Sequence, residues 1–383
     1  MGALALLLAL MMSAPALGGG IVTQEIFLEG TCYGPLVLRN GNLLLPLNSK
    51  KDPEGELLDK GNSLARLVCL APDGTIVWDR YYGDLPGGTV YGLFIELEDG
   101  NLAGLAHYYA GAAEPKAWRL TLSPTGEEIA REPQPMDWFD ILVVPGGYWT
   151  MKNNPPDGEW EYSYQTPAFE TRWSISETQA VRYQCWAVEG VQGGLLLLGR
   201  DAERESTTAV AKVSYDGELI WRAGLRDGTS CGAFEAQDGT VVVLGTITNP
   251  HTEERKGYTA GISREGQILW EGEYDLGDDF RGFRYSEETP QGHRLLYLSD
   301  FGNTNSEGKT LHSLLLDKTG RELDRREYQH PWDYANTMAG LTVYNLSFVD
   351  WNGQAWVMVY GIHQQGGPDG TLMMRLDMNS LWE

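Results

Sequence analysis

Cysteine is scarce in this chain of 383 residues: Cys32, Cys69, Cys185 and Cys231 stand far apart, and no two form a Cys-x-x-Cys pair. That excludes a disulfide-stapled small scaffold and a zinc site of thiolate spacing, and leaves two disulfides or buried thiols as the open readings. Basic residues are few as well. Against 53 Asp and Glu stand 29 dispersed Lys and Arg, a formal net charge of −24. Nucleic acid and anionic membrane surfaces need clustered cations, so neither is an expected partner. The six histidines, His107, His251, His293, His312, His330 and His363, show no His-x-His or His-Glu-x-x-His spacing, and no metal centre is expected. A Gly-x-Ser-x-Gly elbow, a phosphate-binding loop and a dinucleotide fingerprint are also missing, which leaves no catalytic residue to nominate and no cofactor.

Long apolar runs are absent after the first, Ala3 to Met12. Ten residues are too few to cross a bilayer comfortably. Ser13-Ala14-Pro15-Ala16 follows, and its Ala14-x-Ala16 has the form of a signal-peptidase site. Residues 1–16 are therefore expected to be a signal peptide, leaving a mature chain with no membrane-spanning segment that is secreted or held in the cell envelope. No Lys or Arg precedes the run, so an uncleaved anchor and a plain tail stay open as alternatives.

Glycine, by contrast, is abundant at 47 residues, which points to many turns. The informative phrase is Ser214-Tyr215-Asp216-Gly217-Glu218-Leu219-Ile220-Trp221. An Asp-Gly step between apolar runs marks a tight hairpin turn, since glycine takes positive φ without a Cβ clash. The phrase recurs at Asp73-Gly74 to Trp78 and Glu265-Gly266 to Trp270, with looser copies at Thr125-Gly126 and Thr319-Gly320. It is a repeat, and its tryptophans are expected to wedge between neighbouring repeats.

A second landmark is a glycine before a short apolar run, at Gly41, Gly100, Gly147, Gly194, Gly239, Gly292 and Gly353, spaced 45 to 61 positions apart. Seven such units, built only of short strand-like runs, fit a radial array of four-stranded blades better than a helical solenoid. In the fifth unit the expected strands are Cys231–Ala236, Thr240–Thr246, Tyr258–Ser263 and Gln267–Tyr274. Val241–Leu244 and Leu195–Leu198 are apolar without alternation, as expected of strands covered on both faces. The last unit has little chain left for a fourth strand, while Gly20–Gly30 reads as an outer strand with no blade before it. The expectation is an all-β, seven-bladed β-propeller of four-stranded antiparallel blades over 17–383, its ring closed by the N-terminal strand. The blades fall at roughly 31–82, 91–131, 138–182, 183–223, 231–274, 281–328, and 338–383 with 20–29.

These repeats resemble two related groups of bacterial propeller sequences. The Gly-x-x-x-Trp spacing at Gly74/Trp78, Gly217/Trp221 and Gly266/Trp270 is similar to the PQQ-like repeat. Asp99-Gly100-Asn101-Leu102-Ala103-Gly104 and Leu316-Asp317-Lys318-Thr319-Gly320 look like secreted repeats that run "DGGYIVAG…LDxxGNxLW". The resemblance implies blade construction and carries over no catalytic residue. The adjacent cysteines of the quinone enzymes are missing here, so it implies no quinone cofactor.

Loop lengths say where a ligand would sit. The turns between first and second and between third and fourth strands are short; the second-to-third loops and the blade crossings are longer and share the other face. Aromatic and charged residues gather in the crossings. Trp138, Asp137, Asp140, Arg182, Tyr183, Arg226, Asp278, Arg281, His330 and Trp332 are the candidate ligand-binding residues, suited to a protein segment or a carbohydrate. The plainer reading of each is packing between blades. The functional expectation is a non-catalytic binding or scaffold module. A hydrolase or lyase acting on polysaccharide, with carboxylates meeting in a central funnel, is the alternative. Asp278-Asp279 is read as an acidic turn, because adjacent residues on an extended chain point apart. Asp300–Gly308 is oxygen-rich but lacks the spacing of a calcium loop.

Overall fold

The computed structural model describes residues 22–377 apart from 33, 57, 59–62, 83–87, 91–93, 109–115, 135–139, 155–158, 177–186, 201–206, 228, 249–251, 253, 278–279, 300–309, 329–344 and 364–368. Every regular element among them is a β-strand, and none is a helix long and apolar enough to cross a membrane. The strands form seven antiparallel sheets of four strand positions each, so the chain is an all-β, seven-bladed β-propeller. In blades 1 and 2 the first position is split into two short segments, Thr31–Cys32 with Leu36–Val37 and Gly88–Val90 with Ile95–Glu96. Blades 1 and 7 make one compact unit, Met1–Pro86 with Asp333–Glu383, and blades 2 to 6 a second, Gly87–Trp332.

In the first unit the chain's end supplies three strands of blade 7, Asn345–Trp351, Gln354–His363 and Asp369–Leu376. The N-terminal strand Val22–Glu29 pairs antiparallel with the third of them and completes the four, as expected. Thr371 fastens the join: its hydroxyl donates to the Gly30 carbonyl at 2.8 Å and accepts from the Cys32 amide at 3.0 Å.

Blade 5 runs Thr229–Glu235, Val241–Thr248, Arg255–Ile262 and Ile268–Tyr274, within three residues of expectation at every boundary. The hydrophobic core lies between blades. Leu195 and Leu197 of blade 4 pack with Trp149, Tyr162 and Tyr164 of blade 3, while Leu196 and Leu198 pack with Val241, Val243 and Ala260 of blade 5. Alternate side chains of one strand thus enter two different cores. That is why the run reads as continuously apolar.

The repeated turn has one geometry. Ser214 N donates to Glu218 O (2.8 Å), Gly217 N donates to Ser214 O (3.0 Å), and Gly217 sits at φ +88°. The Ser214 hydroxyl accepts from the amides of Asp216 and Glu218; in blade 6 Asp317 does the same with a carboxylate, and in blade 1 Asp73, two positions further on, accepts from the Thr75 amide. The Asp-Gly step lies in a tight hairpin turn with its glycine at positive φ, as expected, and a bulge follows it on the outer strand. Leu219 pairs with Val213 and Trp221 with Lys212, so Ile220 is skipped by the third strand. The same skip occurs at Val77, Ile129, Arg172, Leu269 and Leu323 in blades 1, 2, 3, 5 and 6, and at Thr23 in blade 7.

The bulge determines what the tryptophan meets. Trp221 is 7% exposed, and a Cβ on Gly266, the turn glycine of blade 5, would come within 2.7 Å of it. Trp173 stands against Gly217 and Trp270 against Gly320 in the same way. The outer-strand tryptophan of one blade thus rests on the turn glycine of the next, as a wedge.

Trp221→Ala is expected to lower stability by about 3–5 kcal/mol, since the void between blades cannot collapse. Ile220→Ser, at the exposed bulge one residue earlier, should stay within about 0.5 kcal/mol of the parent. Urea melts of the two variants against the parent check both values.

Candidate functional site

Of the ten residues expected to line a ligand site, Asp137, Trp138, Arg182, Tyr183, Asp278, His330 and Trp332 lie outside the described residues. Asp140 begins the first strand of blade 3 (Asp140–Val144) and Arg281 lies in the first strand of blade 6 (Phe280–Thr289), with their side chains also outside the described part. Asp279 and Asp300–Gly308 fall outside it too. Arg226 alone has a described side chain. It leaves the outer strand of blade 4 and pairs with Glu273 and, at 3.7 Å, with Glu271, both on the outer strand of blade 5. Tyr258 donates to Glu271 at 2.6 Å, and burial together with that carboxylate pushes its phenol well above the ordinary range. Arg226 therefore ties two rims together.

Cys69 is a buried thiol pushed up to about 11 by burial, which removes it as a nucleophile at neutral pH. Cys32 lies in the core of the first unit. Among the described residues no group of three or more His, Cys, Asp and Glu is placed to hold a metal ion.

A concavity among the described residues lies at the short-turn end, between blades 4 and 5. A cleft of about 470 Å³ is lined by Pro145, Gly190, Val191, Gln192, Tyr215, Ala233, Phe234 and Glu235. Local chemistry shapes it. Gly190 has no side chain, and a Cβ there would strike the Pro145 ring, so the turn of blade 3 lies directly against the backbone of blade 4. Tyr215 donates its hydroxyl to the Val191 carbonyl at 3.3 Å, which lays its ring along the wall. Glu235 is held from two sides: its Oε2 accepts from the Gln192 amide at 2.5 Å, and its Oε1 lies 3.5 Å from Lys212 Nζ. Lys212 is itself buried, and the pair keeps the carboxylate in one place. Blade 6 repeats half of this device, Glu288 accepting from the Gln237 amide at 2.7 Å.

The sequence offered little signal for this cleft. Glu235 is one acid among 53, and its partners come from a strand and a turn, 23 and 43 residues away.

No family model matches the chain, and no curated protein matches it. Solved structures do. The polysaccharide lyase Uly1 is 8% identical, with 93% of this chain and 99% of that one covered and a TM-score of 0.52. The Dos1 propeller is 11% identical (92% and 90% covered, TM-score 0.47), and BamB from Moraxella catarrhalis 12% identical (92% and 99% covered, TM-score 0.41). The likeness is one of fold.

Next to the cleft, His293 is buried against Phe234 and Trp270. Its Nδ1 makes no hydrogen bond. Burial pulls its pKa below the ordinary value, against the opposing pull of Glu288, Asp238 and Asp317, and Lys318 adds to the lowering. His312, stacked on Tyr297 at 4.8 Å, is lowered by burial too, with Glu327 opposing and Arg325 assisting. Both imidazoles bind a proton more readily in the unfolded chain, whose value is near 6.5. Their contribution to stability is complete above that pH and is lost as pH falls through the depressed folded value.

The melting temperature should fall between pH 7.5 and 5.5, and the slope should flatten in His293→Phe; an unchanged slope would assign the effect elsewhere. A second expectation concerns the cleft. Glu235→Ala leaves Lys212 buried without its counter-charge and should cost about 3 kcal/mol in a urea melt. Lys212→Met combined with Glu235→Leu should stay within about 1.5 kcal/mol of the parent.

Proposed function

We propose that this chain is a non-catalytic binding or scaffold propeller acting outside the cytoplasm, in the cell envelope or secreted, on a protein or a glycan. The observation that carries the binding role is the cleft at blades 4 and 5, where one carboxylate and two aromatic rings share a concave wall. That carboxylate is fixed by a backbone amide and a buried lysine. A fixed acceptor recognises a ligand. Dividing acid and base roles over a glycosidic bond takes a second carboxyl group within roughly 5–10 Å, and Glu235 is the one carboxylate lining the cleft. The extracytoplasmic location rests on the apolar run at 3–12 and its Ala14-x-Ala16 sequel. The loop-rich end, with Asp137, Trp138, Asp140, Arg182, Tyr183, Asp278, Arg281, His330 and Trp332, is proposed as a second recognition surface, on the strength of its residue types and loop lengths.

Purified protein is expected to turn over no polysaccharide, ester or alcohol substrate. Turnover that disappears in Asp137→Asn, Asp140→Asn or His330→Ala would replace this reading with the polysaccharide hydrolase or lyase.

A further inference from the structure

The cleft between blades 4 and 5 sets fixed hydrogen-bond acceptors beside apolar rings, and from this we infer that it is a subsite for a neutral saccharide. The inference rests on the binding role proposed above and adds the ligand's chemistry. The charge of Glu235 is balanced by Lys212 at 3.5 Å, so in the cleft this carboxylate serves as a fixed hydrogen-bond acceptor more than as a counter-ion.

The remaining chemistry is that of a polyol with one apolar face. Two oxygens of Glu235 each keep a lone pair for a hydroxyl donor after serving Gln192 and Lys212. The Gln192 side chain, exposed at the lip, offers both a donor and an acceptor, which suits a hydroxyl that does both. Phe234, Tyr215 and Pro145 supply flat apolar area against which the C–H face of a sugar ring packs. Tyr215 has already given its proton to the Val191 carbonyl, so its oxygen faces a ligand as an acceptor. A wall rich in acceptors beside apolar rings calls for many hydroxyl donors on a compact ring, more than an extended peptide carries. The volume of about 470 Å³ admits one or two sugar rings, within the size range of small-ligand sites.

The experiment is a titration of the full chain, isotope-labelled, with maltohexaose, cellohexaose and chitohexaose, and in parallel with octalysine and octaglutamate, following the amide signals of Gly190, Val191 and Gln192. A neutral hexasaccharide is expected to shift these amides. Glu235→Gln and Gln192→Ala should each weaken that binding by about tenfold or more, the size of one lost hydrogen bond to a fixed polar group. Gln192→Ala changes an exposed side chain and leaves the Lys212 pair in place, so it tests the site without unfolding the blade; melts of both variants confirm the fold. Shifts of these amides with octalysine or octaglutamate alone would overturn the saccharide assignment and leave the binding role standing. Saccharide shifts confined to other residues would overturn the cleft as the subsite. Silence of every probe would sink the saccharide inference together with the binding role of this cleft.

Discussion

The contact that recurs from blade to blade is a large side chain of one outer strand resting on a glycine of the next blade's turn. Trp173 on Gly217, Trp221 on Gly266 and Trp270 on Gly320 repeat it within the second unit, and in the first Ile26 and Gln24 lie against Gly74. Each such glycine satisfies two demands at once. It holds φ between +77° and +88°, where side chains are strained, and it has no Cβ to obstruct the neighbour. A substitution there would meet both penalties together. Aromatic bulk and glycine are therefore coupled across a blade boundary, which explains a repeat in which tryptophan follows glycine at a fixed distance.

The outer-strand bulge belongs to the same constraint. It appears at Thr23 in blade 7, although no hairpin turn connects Val22–Glu29 to its partner strand there. The turn therefore does not produce the bulge. Two other effects account for it: the bulge rotates the following residue toward the next blade, and it breaks the row of hydrogen-bonding groups on an outer strand. Val77, Ile129, Ile220, Leu269 and Leu323 sit at the skipped position and are 50–56% exposed. Aliphatic side chains on an interrupted edge are poor templates for pairing with another chain, which a straight edge would invite.

Much of the fold was legible in the sequence because it is periodic. The Asp-Gly turns, the apolar runs at Leu195–Leu198 and Val241–Leu244, and the orphan strand near the N-terminus each reported a local rule obeyed many times over. Blade 3 was harder, for a physical reason. Its turn has Phe169 at φ +58° where the other copies have glycine, with the same two hydrogen bonds from Thr166 and Phe169. An aromatic residue there is strained by roughly 1–3 kcal/mol, and a search for turn glycines passes it by. The ring stacks on Tyr148 at 4.4 Å, an interaction that offsets the strain. Tyr148 in turn donates to the Ala103 carbonyl of blade 2, so the irregular turn still serves the contact between blades.

The site is illegible for the opposite reason. A repeat announces itself by recurrence, whereas the cleft exists because one blade, the fourth, differs from its siblings at three single positions. Gly190 admits Pro145, Tyr215 takes the place that is Arg264 in the turn of blade 5, and Lys212 brings a charge into a strand that pairs with Trp221. None of these departures carries a spacing that a pattern could detect. The candidates in the crossings rest on residue type, and of their side chains that of Arg226 is the described one. An exposed arginine among carboxylates reads as a ligand contact, yet it is paired to Glu271 and Glu273 across a blade boundary. In a scaffold held together between blades, charged residues near a boundary are first of all its fasteners. A recognition residue is better sought where a polar side chain is fixed by its neighbours and still faces open space, the condition that Glu235 meets.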